Sequence, residues 1–560
     1  MKHTPLTILF FLFFSLYFGC LAQSQDKYTE ALTIKKLNKN KLLFKFDFNT
    51  ISKNPNYQNY FLFPKTFGNL VKENSLEYLR FSLTQGMYHL KYGEIGRYSP
   101  PGGELIATFE TKEDLESKFR TVSRKISGIF GTSQKFSDLT ISAQPFYTEF
   151  NSLESTSQRT HYSSLPREPV CTENLTPWLK LLPCRSKAGL ASLLNPIKLY
   201  DLFYHSMSVE VTRSQENSLS FHQQLLLVVE LKEFKFSQIF GTPLIGPICP
   251  FSSQTKIQIE GFSDYSSFTP TPEEIGNNQV GFILKENLNK KDFNLHYSPK
   301  EKTNNNGYNH NNIGNDNSNN GNDNNNNFNN NGINDENISK NQSIKLNRFL
   351  KESGKIRGGV ITQITNLEKN DLHLTLYDSL PWFMRVYFHT LTIKSNFENK
   401  EIEITDLNLE SEQGNESNLF ANQASLLRIQ TSQDHGRPSI FELALVLKPG
   451  ETFQISVDYL KGFLNFEEHP FDGNRGFDIA PAIVSMHGKK QNLKKRIYYT
   501  DSLLLMLPTP DFTMPYNVMT ITTTAFLIWY GSFLNNLTGR AGLKLKKKSK
   551  AKWIIKPDKF

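Results

Sequence analysis

Cysteine is scarce in this sequence. The 560 residues contain four, Cys20, Cys171, Cys184 and Cys249, which are too few for a disulfide-built scaffold in a chain of this length. No two of them form a Cys-x-x-Cys pair, so the sequence favours neither a redox motif nor a structural zinc site. With 44 Phe and 38% hydrophobic residues, the chain has enough apolar material to build sizeable cores.

Familiar catalytic patterns are also missing. The sequence has no HExxH, GxSxG, GxGxxG or P-loop pattern, so it offers no hydrolase, metalloprotease or nucleotide-binding signature. The pair His487-Gly488 resembles the His-Gly pair of caspase-like proteases. No cysteine follows it, which excludes a Cys/His dyad in that family's order. We therefore predict no catalytic residue and no metal or other cofactor.

An apolar run near the N-terminus predicts a signal peptide. Residues 6–18 are uncharged and largely apolar, follow a single lysine, and lead into the small residues around Ala22. This order is typical of a secretory signal that is removed after translocation. We assign residues 1–22 to it. The lumenal or extracellular chain would then begin near residue 23.

Charge is absent from a long segment near the C-terminus. No charged residue lies between Asp511 and Arg540, and aromatic residues stand toward both ends of this gap. A span of this length can cross a bilayer as a helix, and the basic residues that follow it place the tail in the cytoplasm. The sequence thus predicts a type I membrane protein with a transmembrane helix at 513–537 and a cytoplasmic tail at 538–560. A buried core helix is the alternative interpretation.

The basic character of the chain is concentrated in that tail. Residues 540–560 carry nine Lys or Arg and one Asp, whereas the formal net charge of the whole chain is +9. The remainder is nearly neutral, so the pI near 9.0 gives no support for nucleic-acid binding.

Loss of Cys20 with the signal peptide would leave three cysteines in an oxidising compartment, where disulfides persist. Three is odd, so at least one thiol is free or bonded to another chain. The sequence alone does not select it, and a buried free thiol remains an alternative.

Alternating apolar and polar residues predict a mainly β fold. KLLFKFDF places Phe44, Phe46 and Phe48 on one face of a strand, and LEYLRFSLTQ, ELIATFE and LLLVVELKEFKF read as further strands. The turn at 448–451 lies between two β-rich runs and predicts a hairpin. One amphipathic helix is predicted in KEDLESKFRTVSRKISGIFG, which ends at Gly131.

An Asn-rich segment interrupts the β-rich sequence. Residues 303–342 have too few apolar side chains to offset the entropy of ordering, and we predict a disordered insertion there. It separates an N-terminal β-rich region, 23–302, from a C-terminal β-sandwich region, 343–512. The predicted lumenal sequons, which are candidate glycosylation sites, are Asn174, Asn337, Asn341 and Asn415.

Five segments resemble the PIG-T family of GPI transamidase subunits. They are LFPK at 62–65, FSLTQGMY at 81–88, LPREPVCTENLTPWLKLLPCRSKAGLASLL at 165–194, DSLPWFMRVYFHTLTI at 378–393 and LPTPDFTMPYNV at 507–518. They occur in family order and extend from near the start of the mature chain to the predicted membrane span. The Asn-rich insertion and the Lys-rich tail depart from the family pattern.

The resemblance implies a function and a set of partners. It implies a non-catalytic subunit of an endoplasmic reticulum membrane complex that attaches GPI anchors to proteins. The implied partners are a caspase-like catalytic subunit on a separate chain, the other membrane subunits and the GPI lipid, with no nucleic acid. It also implies a β-rich, sandwich-like lumenal region. The alternative is a type I cell-surface or lumenal β-sandwich receptor or adhesion protein unrelated to GPI transfer.

The resemblance also assigns individual residues. It implies that Cys171 forms the interchain disulfide to the catalytic subunit, which leaves Cys184 and Cys249 as an intrachain pair. It further suggests that Tyr516 and Asn517 contact the GPI headgroup where the predicted span meets the lumenal interface. An ordinary helix cap or interfacial anchor is the alternative role for these two residues.

Overall fold

The computed structural model describes residues 26–538 except 39, 54–59, 139, 149, 151–158, 201, 215–217, 245, 247, 277–278, 285–292, 300–341, 398–400, 404–422, 470–474, 488–495 and 509–512. The predicted signal peptide, nearly all of the Asn-rich insertion and the basic tail therefore lie outside the described residues. The chain divides into two compact units, one of Met1–Gly462 with Phe477–Leu505 and one of Phe463–Gly476 with Met506–Phe560.

Strands are the main secondary structure that the structure describes in the first half of the chain. They are β1 Asp26–Lys36, β2 Lys41–Ser52, β3 Leu76–Gln85, β4 Gly102–Phe109, β5 Ser142–Ala143, β6 Thr160–Leu165, β7 Tyr204–Arg213, β8 Leu219–Glu230, β9 Phe234–Lys235, β10 Ser252–Glu260, β11 Phe268–Thr269, β12 Glu273–Gly276, β13 Gln279–Leu284 and β14 His296–Tyr297. Eleven of them form one sheet in the order β12-β13-β10-β1-β2-β8-β7-β3-β4-β6-β5, and β11-β14-β9 form a small second sheet. Among the strand pairs that the structure describes in the large sheet, β1–β10 is parallel and the others are antiparallel.

The second half forms further sheets. Its strands are β15 Ile344–Lys351, β16 Arg357–Asn366, β17 Leu372–Leu380, β18 Met384–Ser395, β19 Glu401–Glu403, β20 Ala424–Gln430, β21 Ser439–Leu447, β22 Thr452–Lys461, β23 Phe477–Ile479, β24 Ile483–His487, β25 Arg496–Tyr499 and β26 Leu503–Leu505. Two five-stranded sheets run β15-β16-β22-β18-β19 and β20-β21-β17-β24-β25, and β23 pairs with β26. The prediction of a mainly β fold is confirmed.

Helices are few. They are α1 Lys65–Asn74, α2 Leu115–Phe130, α3 Thr172–Lys180, α4 Pro196–Leu199, α5 Phe236–Ile239 and α6 Thr513–Leu537, together with short 3-10 turns at Leu90–Tyr92, Gln134–Ser137, Leu190–Leu193, Tyr265–Ser267 and Phe466–Glu468. The amphipathic helix predicted before Gly131 is α2, and Gly131 ends it in the left-handed conformation with φ +68°, which glycine adopts without steric cost.

The predicted alternation of apolar and polar residues along β2 distinguishes an apolar face of the large sheet from a polar one. Phe44, Phe46 and Phe48 are all buried. Phe44 packs edge-on against Phe234 at a centroid distance of 5.4 Å, and Phe48 packs edge-on against Trp178 of α3 at 6.0 Å. Helix α3 is therefore fixed to the apolar face of the sheet, while the alternate residues of β2 belong to the opposite, polar face.

The two five-stranded sheets of the second half share an interior. Arg348 on β15 and Asp378 on β17 belong to different sheets, and they form a fully buried ion pair at 2.7 Å. Arg348 also donates a hydrogen bond to the carbonyl of Ala480 at 2.6 Å, which satisfies part of a charge that would be costly to bury alone. The two sheets thus face one another across a common core, as expected for a sandwich.

The hairpin predicted around residues 448–451 is wrong. A tight turn is present, since the backbone N–H of Glu451 donates to the carbonyl of Lys448 at 3.0 Å. However, β21 and β22 belong to different sheets. The carboxylate of Glu451 also accepts hydrogen bonds from Ser395 at 2.5 Å and Gln423 at 2.7 Å. These contacts hold the turn as a crossing between sheets, and a local sequence pattern does not distinguish that from a hairpin.

The C-terminal helix α6 has the bounds predicted from the uncharged gap, 513–537. Its side chains from Tyr516 onward are exposed. Among the residues that the structure describes, no helix is both long and apolar enough to qualify as a membrane span.

Candidate disulfide site at Cys171

Cys171 stands at the start of helix α3, where the sequence sets up a helix cap. Its backbone N–H donates to Oδ1 of Asn174 at 2.8 Å, and the backbone N–H of Asn174 donates to the carbonyl of Cys171 at 3.1 Å. The thiol also lies 3.4 Å from the same Oδ1. Such reciprocal bonds satisfy donors that a helix N-terminus leaves free. They also fix the backbone that carries the exposed, free thiol of Cys171.

Helix α3 is itself held to the large sheet. Trp178 is buried, and its indole N–H donates to the carbonyl of Ser208 on β7 at 3.1 Å. The side-chain amide of Gln223 on β8 returns a hydrogen bond to the carbonyl of Trp178 at 2.8 Å. Because buried polar groups need partners, these two bonds restrict how the helix sits on the sheet. Cys171 is therefore presented from a rigid support.

Tyr200 contacts the backbone of Cys171. Its hydroxyl donates to the carbonyl of Cys171, and its ring lies edge-on to that of His205 at a centroid distance of 4.5 Å. Burial raises the pKa of Tyr200 well above its ordinary value, and the neighbouring Cys171 adds to the effect. Burial likewise lowers the pKa of His205 to about 4. Both side chains are thus neutral at physiological pH. Tyr200 holds the cap through its hydrogen bond, and the ring of His205 packs against it.

Asn174, which the sequence predicts as a glycosylation site, is buried in the structure. The side chain is 2% exposed. Its Nδ2, the atom that a glycan would occupy, donates to the carbonyl of Phe130 at the end of α2, at 2.8 Å. A sequon marks a possible acceptor but carries no information about burial. The other three predicted glycosylation sites, Asn337, Asn341 and Asn415, lie outside the described residues.

Cys184 and Cys249 are joined by a disulfide with a Cα–Cα distance of 5.9 Å, the pairing that the family resemblance implies. It ties the segment after α3 to the start of β10. The nine residues of α3 rise about 13 Å and lie between Cys171 and Cys184. Cys184 and Cys249 are committed to each other, and Cys171 keeps a free thiol.

The remaining predicted site residues lie on α6. Tyr516 is 70% exposed, and Asn517 is exposed beside it. Nothing in the second unit encloses these two side chains in a formed pocket among the described residues. For metals, the described part of the chain brings together no group of three His, Cys, Asp or Glu side chains suited to bind one.

Sequence reasoning missed the support of Cys171. The contacts from Tyr200 and Phe130 come from 29 and 44 residues away in sequence, so no local pattern reveals them. The capping role of Asn174 is readable from the sequence, because an Asn three residues after the N-cap residue of a helix can bond back to that residue. The glycosylation motif at the same position carries no information about this cap.

Comparison with known protein families shows which family this chain belongs to. The model of the Gpi16 subunit family, described as a GPI transamidase component, matches residues 10–557. The chain belongs to this family.

Members of the Gpi16 family from distant organisms align along the whole length. The chain is 28% identical to the human GPI-anchor transamidase component PIGT, over 95% of this chain and 94% of that protein. It is 26% identical to the Saccharomyces cerevisiae GPI transamidase component GPI16, over 96% and 94%. The Schizosaccharomyces pombe PIG-T homolog is 25% identical over 95% and 94%. The relatives are therefore matched end to end.

Comparison with solved structures adds little to the family assignment. A collagen-binding subdomain of the Enterococcus faecalis surface protein ACE aligns with 28% of this chain and 95% of its own, at 9% identity and a TM-score of 0.20. The collagen adhesin of Staphylococcus aureus covers 86% of this chain, with a TM-score of 0.18. Both scores are too low to favour the adhesion alternative.

Proposed function

We propose that this Gpi16-family chain is a non-catalytic subunit of a GPI transamidase complex in the endoplasmic reticulum membrane. It stabilises a caspase-like catalytic subunit through an interchain disulfide at Cys171 and so supports the attachment of GPI anchors to proteins. The observation that carries the proposal is the division of the cysteines. Cys184 and Cys249 are bonded to each other, whereas Cys171 is free and exposed.

The setting of Cys171 suits a bond to another chain. An exposed thiol in an oxidising compartment finds a disulfide partner unless it is protected. The helix cap and the anchored α3 hold the thiol in one place, which lowers the entropy lost when it pairs. A covalent link then keeps the partner at high effective concentration even where the noncovalent interface is modest.

The reacting groups of the transamidase belong, in this proposal, to the partner chain. The sequence contains no catalytic pattern, and His487 is used inside the fold. Its ring lies 3.2 Å from the hydroxyl of Thr375, and burial, together with His373, lowers its pKa to about 4. A histidine held in this way serves structure, which supports a scaffold role for this chain.

Helix α6 anchors the chain in the membrane in this proposal, although its threonines reduce its overall apolarity. Four threonine hydroxyls donate to carbonyls one turn earlier, at 2.7 to 2.8 Å: Thr520 to Tyr516, Thr522 to Val518, Thr523 to Met519 and Thr524 to Thr520. A hydroxyl that is satisfied within its own helix costs less to place in lipid. The helix is about 37 Å long and uncharged, which suffices to cross the hydrocarbon core.

In this arrangement, residues at the start of α6 contact the GPI lipid. Tyr516 carries an aromatic ring with a polar tip, which suits the membrane interface, and the amide of Asn517 can both donate and accept hydrogen bonds to a headgroup. The basic tail after α6 lies on the cytoplasmic side in this arrangement. Asn337, Asn341 and Asn415 are the glycosylation sites on the lumenal side.

Non-reducing electrophoresis of the membrane complex tests the disulfide. With thiols blocked during lysis, the native chain should run together with its catalytic partner in one high-mass band that reductant resolves. Cys171→Ser should abolish that band, while Cys184→Ser/Cys249→Ser, as the matched control, should retain it in the fraction that folds. A Cys171→Ser chain that still ran in the high-mass band would show that the linkage is elsewhere.

A further inference from the structure

Two exposed phenylalanines form an aromatic patch where strands β1 and β10 begin. Phe61 is 64% exposed and Phe251 is 48% exposed, and their rings meet edge-on at a centroid distance of 6.2 Å. Exposed apolar side chains that stand singly are common on protein surfaces. Two large rings that contact each other and remain in solvent form a contiguous apolar surface, which is the kind of feature that marks an interaction site.

The backbone that carries Phe61 is fixed by Asp26 at the start of β1. One oxygen of this carboxylate, Oδ2, accepts hydrogen bonds from the backbone N–H groups of Phe61 at 2.9 Å, Leu62 at 2.8 Å and Phe63 at 3.2 Å. Bonds to an ionised carboxylate are stronger than bonds between neutral groups. Phe63 is buried and packs edge-on against Phe221 of β8 at 5.7 Å. Phe61 is therefore held in solvent by a segment that is fixed both at Asp26 and in the core.

Phe251 lies in a tight turn. The backbone N–H of Ser252 donates to the carbonyl of Cys249 at 2.8 Å, and Pro250 occupies the second position of the turn, where its fixed φ is favourable. Cys249 is buried and bonded to Cys184, and Ser252 is the first residue of β10. The turn is thus held by the disulfide at one end and by the large sheet at the other.

This rigid support lowers the cost of binding through the patch. Because both rings are carried by fixed backbone, little conformational entropy is lost when a partner covers them. Aromatic side chains held in this way are typical anchors of protein interfaces. The support comes from Asp26, Phe63 and Cys249, whereas Cys171 is held by Asn174 and Tyr200. The patch is therefore a feature separate from the disulfide site at Cys171.

The segments that build the patch also carry exposed lysines. Lys27 follows Asp26, Lys53 follows the residue that pairs with Asp26, and Lys65 begins helix α1 two residues after Phe63. Among the described residues, none of these three lysines forms an ion pair. Three lysines and the carboxylate of Asp26 leave an excess of two positive charges. A partner surface with acidic side chains around an apolar centre therefore matches both the rings and the lysines.

A lipid surface is the other class of partner that takes up aromatic and basic side chains together. The anionic lipids that attract lysines belong mainly to the cytoplasmic leaflet, whereas the patch is lumenal in the proposed function. The lysines then have no matching charge on the membrane that they face. A protein surface is therefore favoured over a lipid surface.

We propose that the patch of Phe61 and Phe251 binds an acidic surface with an apolar centre on the lumenal part of another protein subunit of the transamidase complex. The membership of that partner in the complex rests on the proposed function, whereas the docking surface rests on the geometry of the patch. In this arrangement the bond between Cys184 and Cys249 has a second role, because it fixes the turn that presents Phe251.

Photo-crosslinking in intact membranes tests the patch directly. Phe61→benzoylphenylalanine introduces a photoreactive side chain into the full-length protein, and irradiation should join it to another subunit of the complex. Phe397, which is 53% exposed in the second half of the chain, is the matched control position, and Phe397→benzoylphenylalanine should not give that product. Crosslinking of position 61 only within the chain, only to lipid, only to proteins outside the complex, or not at all would overturn the proposal.

Variants measure what the patch contributes to binding. In a Cys171→Ser background no disulfide at this position can retain a subunit. Phe61→Ser/Phe251→Ser in that background should lower recovery of the crosslinked subunit in mild detergent at least about tenfold. Lys53→Glu/Lys65→Glu should also lower it, whereas Lys53→Arg/Lys65→Arg should retain it. Unchanged recovery in the phenylalanine pair or in the charge-reversed pair would refute the proposal.

Further controls keep this test separate from that of the interchain disulfide. Because Phe61 and Phe251 are exposed, their replacement should leave thermal unfolding of the chain unchanged, and Phe397→Ser should retain the crosslinked subunit. With Cys171 intact, the non-reducing band reports the interchain disulfide whatever the state of the patch. Absence of that band from the native chain would contradict the disulfide alone, and unchanged recovery in the phenylalanine pair would contradict the patch alone.

Discussion

Glu442 on β21 accepts a hydrogen bond from the backbone N–H of Phe146 at 2.6 Å, although 296 residues separate them. The other carboxylate oxygen accepts from the N–H of Tyr147, also at 2.6 Å. Arg428, on the neighbouring strand β20, donates to the carbonyl of Gln144 at 3.0 Å. A buried carboxylate that accepts two backbone donors fastens the segment after β5 to the sandwich formed by the second half of the chain.

This contact predicts a pH dependence of stability. Burial raises the pKa of Glu442 from 4.5 to about 7, against the hydrogen bonds from Phe146 and Tyr147 and the charge of Arg428, which lower it. Burial similarly raises the pKa of Glu30 to about 7. Between pH 4.5 and 7 the folded chain then binds more protons than the unfolded chain, so the contribution of each group to the unfolding free energy falls as pH rises.

Denaturant unfolding between pH 4.5 and 7.5 checks this dependence. Each carboxyl should contribute a decrease on the order of 3 kcal/mol over that interval. Glu442→Gln should reduce the slope by about one group's share and Glu30→Gln/Glu442→Gln by both. Glu116→Gln, on the exposed face of α2, should leave it unchanged. A slope unaltered by Glu442→Gln would show that this carboxyl does not titrate there.

The cap at Cys171 predicts that Asn174 acts through hydrogen bonds and not through a glycan. Asn174→Ala should lower the unfolding free energy by about 1 to 3 kcal/mol, because it removes the cap and leaves the buried carbonyl of Phe130 without its donor. Thr176→Ala destroys the same sequon but spares these bonds, and should change stability by less than about 0.5 kcal/mol. Thermal unfolding of both variants is the measurement. Equal losses in the two would instead indicate a stabilising glycan.

Local pattern was sufficient for much of the fold. Alternation identified the face of β2 that carries Phe44, Phe46 and Phe48, and apolar spacing with a terminal glycine identified α2. These signals work because each strand or helix must place its own apolar face inward. The order of the five-stranded sheets, by contrast, depends on which strands pair, and local pattern does not determine that. The turn at Glu451 is likewise held as a crossing between sheets by Ser395 and Gln423, which are distant from it in sequence.

The site was predictable only in part. The odd number of cysteines followed from counting, but the choice of Cys171 came from family resemblance, and its exposure came from the fold. The contacts from Tyr200 and Phe130 that hold the cap at Cys171 could not be predicted, because they come from 29 and 44 residues away in sequence.

The intrachain disulfide predicts a large and separable effect on stability. Cys184 and Cys249 are 65 residues apart in sequence, and removing a cross-link over a loop of that length costs about 4 kcal/mol through the entropy of the unfolded chain. Cys184→Ser/Cys249→Ser should therefore unfold at markedly lower denaturant. Cys171→Ser, which removes an exposed thiol, should unfold like the native chain. If both variants lost stability equally, Cys171 would have a structural role inside the fold.

The membrane span proposed for α6 predicts how charged substitutions within this helix affect membrane integration of the chain. If it spans the bilayer, Ile521→Lys/Leu527→Lys places two charges in the hydrocarbon core at a cost of about 3 kcal/mol each, and the chain should become extractable from membranes at alkaline pH. Thr522→Val/Thr523→Val should remain membrane-integrated, because each hydroxyl bonds within the helix and its loss leaves no unpaired group that lipid would penalise. Alkaline extraction followed by immunoblotting measures both. Extraction of the native chain under the same conditions would contradict the span, and the interfacial roles of Tyr516 and Asn517 would fall with it, because both depend on α6 entering the bilayer.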